Sequence, residues 1–127
     1  MSIAAAQYDK FKEQVVTEER VFTFTDAGEL LVYPLPSGET VPFWSSRTRL
    51  ETIQKKVPKY RRWQVTEMAF AEFWRRLDQL ADERVHVGVN WSGESLTGYN
   101  VPVSELREGL LYWIGKLAKR HLIDAAV

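Results

Sequence analysis

At 127 residues, 45% hydrophobic and 13% aromatic, the chain is the size of one domain and too rich in core formers to be disordered. Seventeen Lys and Arg offset seventeen Asp and Glu, so no global field draws in nucleic acid or an anionic membrane, and neither is expected as a partner. No cysteine is present, which excludes disulfides, thiolate metal sites, iron–sulfur clusters and a cysteine nucleophile.

In chain order, Ser2 is placed to cap a first helix whose Ala4, Tyr8, Phe11 and Val15 recur at i, i+4, i+7 and i+11. The opening "MSIAAAQYDKFKEQ" holds no apolar core of signal-peptide length, and no run reaches the roughly 18 apolar residues of a membrane span, so a soluble cytoplasmic protein is expected. "VFTFT" alternates β-formers with threonine and predicts a strand. Asp26-Ala27-Gly28 predicts a turn, "ELLVYP" a second strand, and "TVPFW" a third, at an edge or starting at Pro42 because proline cannot donate to a ladder.

Helix propensity resumes at Arg47, with Leu50, Ile53 and Val57 on one face, and Pro58 ends it. "RWQVTEM" predicts a strand. Thr66 is then positioned to cap a helix whose apolar face is Phe70, Phe73, Trp74, Leu77, Leu80 and Ala81, with Glu72 and Arg76 spaced for an outer ion pair. "RVHVGVNW" alternates, Val85, Val87 and Val89 against His86, Gly88 and Asn90. "SGES" turns into "LTGYNV". A final helix starts near Pro102 or Ser104 and carries Leu106, Leu110, Trp113, Ile114 and Leu117 on one side; beyond Arg120, Leu122, Ile123 and Val127 either dock on a second copy or complete the core. Monomer and dimer both stay open. This order predicts a single α+β domain over residues 1–127, one mixed or antiparallel sheet of about five to six strands with about four helices packed on it.

"PFWSSRTRLETIQ", "VPKY", "VGVNWSG" and "GYNV" before a final helix resemble the bacterial family catalogued as domain of unknown function 2750, over about residues 5–110. The resemblance implies no activity, since the family has none assigned. More loosely, strand-Pro-Phe-x-Ser-Ser-helix followed by Val-x-Val-Asn is similar to the N-terminal part of enhanced-serine-sensitivity-type proteins, with Trp44 and Trp91 standing where those carry a threonine-like residue and a proline. That likeness implies small domains of toxin–immunity or secretion loci.

The chemistry-bearing stretch is "PFWSSRTRL". Ser45 or Ser46 can cap the helix at about 1 kcal/mol, and Thr48 with Glu51 has capping-box spacing. Arg47 and Arg49 are not explained by capping, because cations in a first turn oppose the helix dipole. Serine hydroxyls, free N–H groups and arginines at a helix N-terminus suit a phosphate or carboxylate. The alternative is ordinary pairing of each arginine, or Arg47 stacked on Trp44. "KKVPKYRRW" reads as a solvated helix end, its lysines favoured near the C-terminus.

"PFWSS" and "VNWSG" echo each other as strand, Trp-Ser, change of direction, which predicts both on one rim. Trp91 is either an exposed anchor or folded into the core. If the two turns share a rim, Trp44 and Trp91 flank the arginines in one aromatic, basic recess. The candidate binding residues are therefore Trp44, Ser45, Ser46, Arg47, Arg49, Asn90 and Trp91.

His86 and His121 form no metal spacing, and the serines have no G-x-S-x-G context or nearby base. No catalytic residue, metal or cofactor is assigned. The expectation is a non-catalytic protein-interaction module, immunity-like as the looser resemblance implies, engaging an acidic partner. A sensor of a small phosphate or carboxylate is the alternative, and an enzyme of unknown type the second alternative.

Overall fold

Two consecutive residues with positive φ, Ala27 (50°) and Gly28 (83°), make the tight reversal that "DAG" predicts and pair Asp26 with Glu29. The strands it joins are β1 (Arg20–Asp26) and β2 (Glu29–Leu30). The computed structural model describes residues 3–93 and 96–126, with side chains up to residue 121. Ser2, part of the "SGES" turn, the side chains of Leu122 and Ile123, and Val127 lie outside the described residues.

After α1 (Ile3–Glu18) and this hairpin come β3 (Tyr33–Leu35), β4 (Gly38–Phe43), α2 (Arg47–Lys56), a 3₁₀ turn (Pro58–Tyr60), β5 (Gln64–Ala69), α3 (Phe70–Asp82), β6 (His86–Ser92), β7 (Thr97–Val101) and α4 (Val103–Ala126). The fold is α+β, with mixed pairing: β4 and β6 run parallel and all other pairs are antiparallel. Among the described residues no helix is long and apolar enough to cross a membrane.

The single sheet expected from the sequence is instead two ladders, β2-β1-β5 and β3-β4-β6-β7. "ELLVYP" causes the division. Leu31 still donates to Phe24 O, but Tyr33–Leu35 has turned to pair with β4, so one apolar run feeds two sheets. A single antiparallel bridge rejoins them, Phe22 and Trp44 exchanging both N–H···O bonds at 2.8 Å.

Pro42 is not on an edge strand; β4 has β6 along one side. Thr23 Oγ1 donates to Pro42 O at 2.8 Å, so the Pro42 carbonyl faces β1, and in extended backbone its nitrogen faces the same way. β3 covers only residues 38–40 of β4, so no ladder acceptor waits at the proline nitrogen.

Helices cover both faces. Tyr8, Phe11 and Val15 of α1, Phe73, Leu77 and Leu80 of α3, and Leu106 and Leu110 of α4 pack with Val41, Phe43, Val87 and Val89. Leu50 and Ile53 of α2 close the opposite side with Phe22, Phe24, Trp44, Tyr60 and Trp91. Strand β1 is therefore buried on both faces, and its threonines are satisfied internally, Thr23 on Pro42 O and Thr25 on Thr66 Oγ1 at 2.7 Å.

That last bond corrects the helix start. Thr66 lies inside β5 and caps nothing, and α3 begins at Phe70, whose N–H reaches Glu19 O at 2.9 Å. Ala81, expected on the buried face of α3, is exposed, and Arg76 bonds Gln79 rather than Glu72. The far half of α4 leaves the core: Trp113 and Leu117 are half-buried and Ile114 is exposed.

Trp91 is seated by two glycines on neighbouring strands. A Cβ on Gly88 would lie 2.4 Å from its ring, and one on Gly98 2.7 Å. Gly88→Ala therefore has no room, and the overpacking is expected to cost about 1–3 kcal/mol, measured as a lower Tm and urea midpoint than Gly115→Ala, whose added methyl meets nothing.

Candidate functional site

Parallel β4 and β6 end side by side, and the two Trp-Ser segments expected on one rim do meet there. The indole N–H of Trp44 donates to Trp91 O at 2.8 Å, and the backbone N–H of Ser45 donates to Asn90 Oδ1 at 2.9 Å. Asn90 takes φ 48°, the left-handed region that asparagine tolerates, beside the irregularity in β6–β7 pairing. Its Nδ2 donates to Ser45 Oγ (3.1 Å), while Ser45 Oγ donates to Gln14 Oε1 (2.5 Å). Arg49 Nη2 donates to Gln7 Oε1 at 2.8 Å, so α1 is tied to the same junction at two points.

Both tryptophans are interior. Trp44 is 0% exposed, its ring edge-on to Phe24 at 5.3 Å. Trp91 is 2% exposed, with its indole N–H on Asn100 Oδ1 (2.9 Å) and its ring against Tyr33 (5.5 Å). The aromatic rim imagined around the arginines is therefore absent, because the glycines at 88 and 98 let the Trp91 ring fold over the sheet. Ser45 is likewise buried and belongs to the frame. Ser46 is the N-cap by position, extended at φ −147°, yet its side chain makes no capping bond, and the start does not slip to Thr48.

The arginines separate. Arg47 is exposed, with its guanidinium 5.5 Å from the Phe22 ring rather than on Trp44. Arg49 turns inward, half-buried, and burial lowers its pKa, since a desolvated guanidinium has lost water without gaining a carboxylate. It stays protonated at any physiological pH.

Beside Arg49 lies a concave recess of about 260 Å³. Ser46, Thr48, Arg49, Thr52 and Lys56 form its α2 wall, Ile53 and Trp91 contribute apolar surface, and Ser92 and Gly93 close the far side. Among the described residues no carboxylate lines it, and neither Arg49 nor Lys56 has an ion pair. Of the seven sequence candidates, Ser46, Arg49 and Trp91 face this recess. Trp44, Ser45 and Asn90 hold its frame, and Arg47 stands outside.

Thr48, read from the sequence only as a possible cap, Lys56, read only as a solvated helix end, and Thr52 are not among the seven binding candidates, although their i, i+4, i+8 spacing puts them on one face of α2. Gln7 and Gln14, seven apart on the buried side of α1, were the other legible signal. Among the described residues no group of three or more His, Asp or Glu could hold a metal.

A family model described as "Protein of unknown function (DUF2750)" matches residues 8–110, which include α2, the recess and the Asn90 junction. No curated protein and no solved structure matches the chain.

The frame and the recess wall respond differently to truncation. Asn90→Ala leaves the buried Ser45 N–H without an acceptor and an alanine at positive φ, and is expected to cost about 2–4 kcal/mol. Ser46→Ala removes no bond and is expected to stay within about 0.5 kcal/mol of wild type. Urea unfolding of the two variants side by side checks this.

Proposed function

The chain belongs to the DUF2750 family of proteins of unknown function, and we propose that its domain is a non-catalytic binding module taking a small phosphate- or carboxylate-bearing ligand in the α2 recess. One observation carries the reading: a concave site that offers two cations and several hydroxyls, with no carboxylate among its described lining residues. Partial burial of Arg49 beside a neutral amide is costly, and an anion entering the recess offsets that cost with a charge-assisted bond.

The start of α2 adds to the attraction. Its first-turn N–H groups receive no side-chain cap, and Thr48 and Ser46 supply hydroxyls at the same end. Ile53 and Trp91, both nearly fully buried, floor the recess where the anion's body would rest. At about 260 Å³ the recess is smaller than the roughly 300–1,000 Å³ of drug-sized pockets, which favours a single charged head on a short body.

A second reading rests on the exposed cations beyond the recess. Arg47, Lys55, Lys59 and Arg62 all face solvent on or just after α2, a surface for an acidic protein partner. Arg61 is occupied otherwise, donating to Gln54 O and Lys55 O at the end of α2. Trp44, Trp91 and Tyr60 are buried, and the half-buried Trp63 ring is already covered by Arg62 at 5.6 Å, so this surface lacks the free aromatic anchor that dominates interface energetics and the small ligand takes precedence.

Thermal-shift titration with inorganic phosphate, small carboxylates and phosphorylated metabolites tests the proposal. A ligand at 100 times its Kd is expected to stabilise by about 2.7 kcal/mol. The shift should vanish in Arg49→Gln and persist in Arg47→Ala, which lies outside the recess. A saturable shift that survives Arg49→Gln, or no shift with any anion tried, contradicts the small-ligand reading.

A further inference from the structure

Helix α4 runs for 24 residues, about 36 Å, and the domain covers only one side of it. Leu106 and Leu110 point into the core, whereas Glu108, Tyr112, Gly115 and Lys119 follow one another at i, i+4, i+7 and i+11 and are all exposed. Three of these four lie past the family match, which ends at residue 110. Tyr112 is 63% exposed and Leu111, on the flank of the stripe, 56%.

Gly115 is the residue that needs explaining. A glycine inside a helix weakens it relative to alanine, and a Cβ added at Gly115 meets nothing within 4 Å. No contact within the chain requires the missing side chain. Glycines on exposed helix faces do, however, let another element approach the backbone closely.

We propose that this stripe is the contact between two copies of the chain, their α4 helices packed antiparallel about a two-fold axis. A two-fold contact must be complementary to itself, and this one is. The four positions have the alternating four- and three-residue spacing of a heptad seam, and antiparallel pairing sets each d position opposite an a position. With the axis between residues 112 and 115, each Tyr112 ring lies on Gly115 of the second copy. Each Glu108 then faces Lys119 of the second copy. Glu108 and Lys119 have no ion pair among the described residues. The Tyr112 ring is already held against Trp113 at 5.9 Å with Lys116 above it at 6.0 Å. Leu111 and Ala118, seven apart on one flank, face their counterparts and add apolar area.

Sedimentation velocity of the full chain, from low micromolar to near-millimolar concentration, tests the pairing. Wild type is expected to shift from monomer to dimer. Glu108→Lys and Lys119→Glu should each weaken the dimer at least about tenfold (about 1.4 kcal/mol), and the double reversal should restore it. Gly115→Gln should weaken it as strongly while raising the Tm of the monomer, because glutamine is a good helix former in open space; that rise separates lost contact from lost folding. Wild type that stays monomeric throughout overturns the proposal. So does a dimer whose constant is unmoved by the single reversals and by Gly115→Gln, since its contact then lies elsewhere.

Discussion

Everything at the recess depends on how the parallel pair β4–β6 ends. Two strands running the same way must part into different elements, and their last backbone groups are buried where water cannot satisfy them. Here the Ser45 N–H and the Trp44 indole N–H both bond to the end of β6, on Asn90 Oδ1 and Trp91 O. Those bonds set where α2 begins relative to the β6–β7 turn, and hence the width of the recess between them. The Gln14–Ser45 and Gln7–Arg49 bonds pin α1 to the same point. A buried polar network with every member satisfied is rigid and specific, and loss of one member exposes the others to the full cost of desolvation.

Features whose causes are local were readable from the sequence. The stripe Tyr8, Phe11 and Val15 predicts the buried face of α1, "DAG" predicts a reversal that only positive φ achieves, and "VGVN" predicts a buried strand. Features decided by distant partners were not. Thr66 has the composition of a cap, but Thr25, forty-one positions earlier, takes its hydroxyl into the β1–β5 ladder. "ELLVYP" has the length of one strand and is divided by the corner at Leu31 and Val32. Whether Trp91 is an anchor or core rests on the room left by Gly88, earlier in its own strand, and by Gly98 on β7, which only the β6–β7 pairing brings together over the ring. The site followed the same rule: a basic, hydroxyl-bearing helix start was legible at residues 46–49, but its separation into an inward Arg49 and an outward Arg47 follows from the position of Gln7 on α1.

The two proposed surfaces are compatible. α2 and α4 cover opposite faces of the sheets, so copies joined through α4 leave the Arg49 recess open to solvent. The recess lies within the family-matched segment, whereas most of the α4 stripe lies past it. The proposed ligand site thus rests on the family-matched segment, and the proposed self-association mostly on residues past it.

Native-state hydrogen exchange followed by NMR tests the central claim most directly, because it separates the locked frame from the open helix start. If the Trp44–Trp91 and Ser45–Asn90 bonds hold the strand ends, the Trp44 indole and Ser45 amide exchange only through global unfolding. Their opening free energy then equals that from denaturant. The uncapped amides of Arg47 and Thr48, at the start of α2, exchange orders of magnitude faster. Ser45 and the Trp44 indole exchanging as fast as Arg47 would contradict the account, because the β4–β6 end would then be a loop and the recess would have no fixed wall.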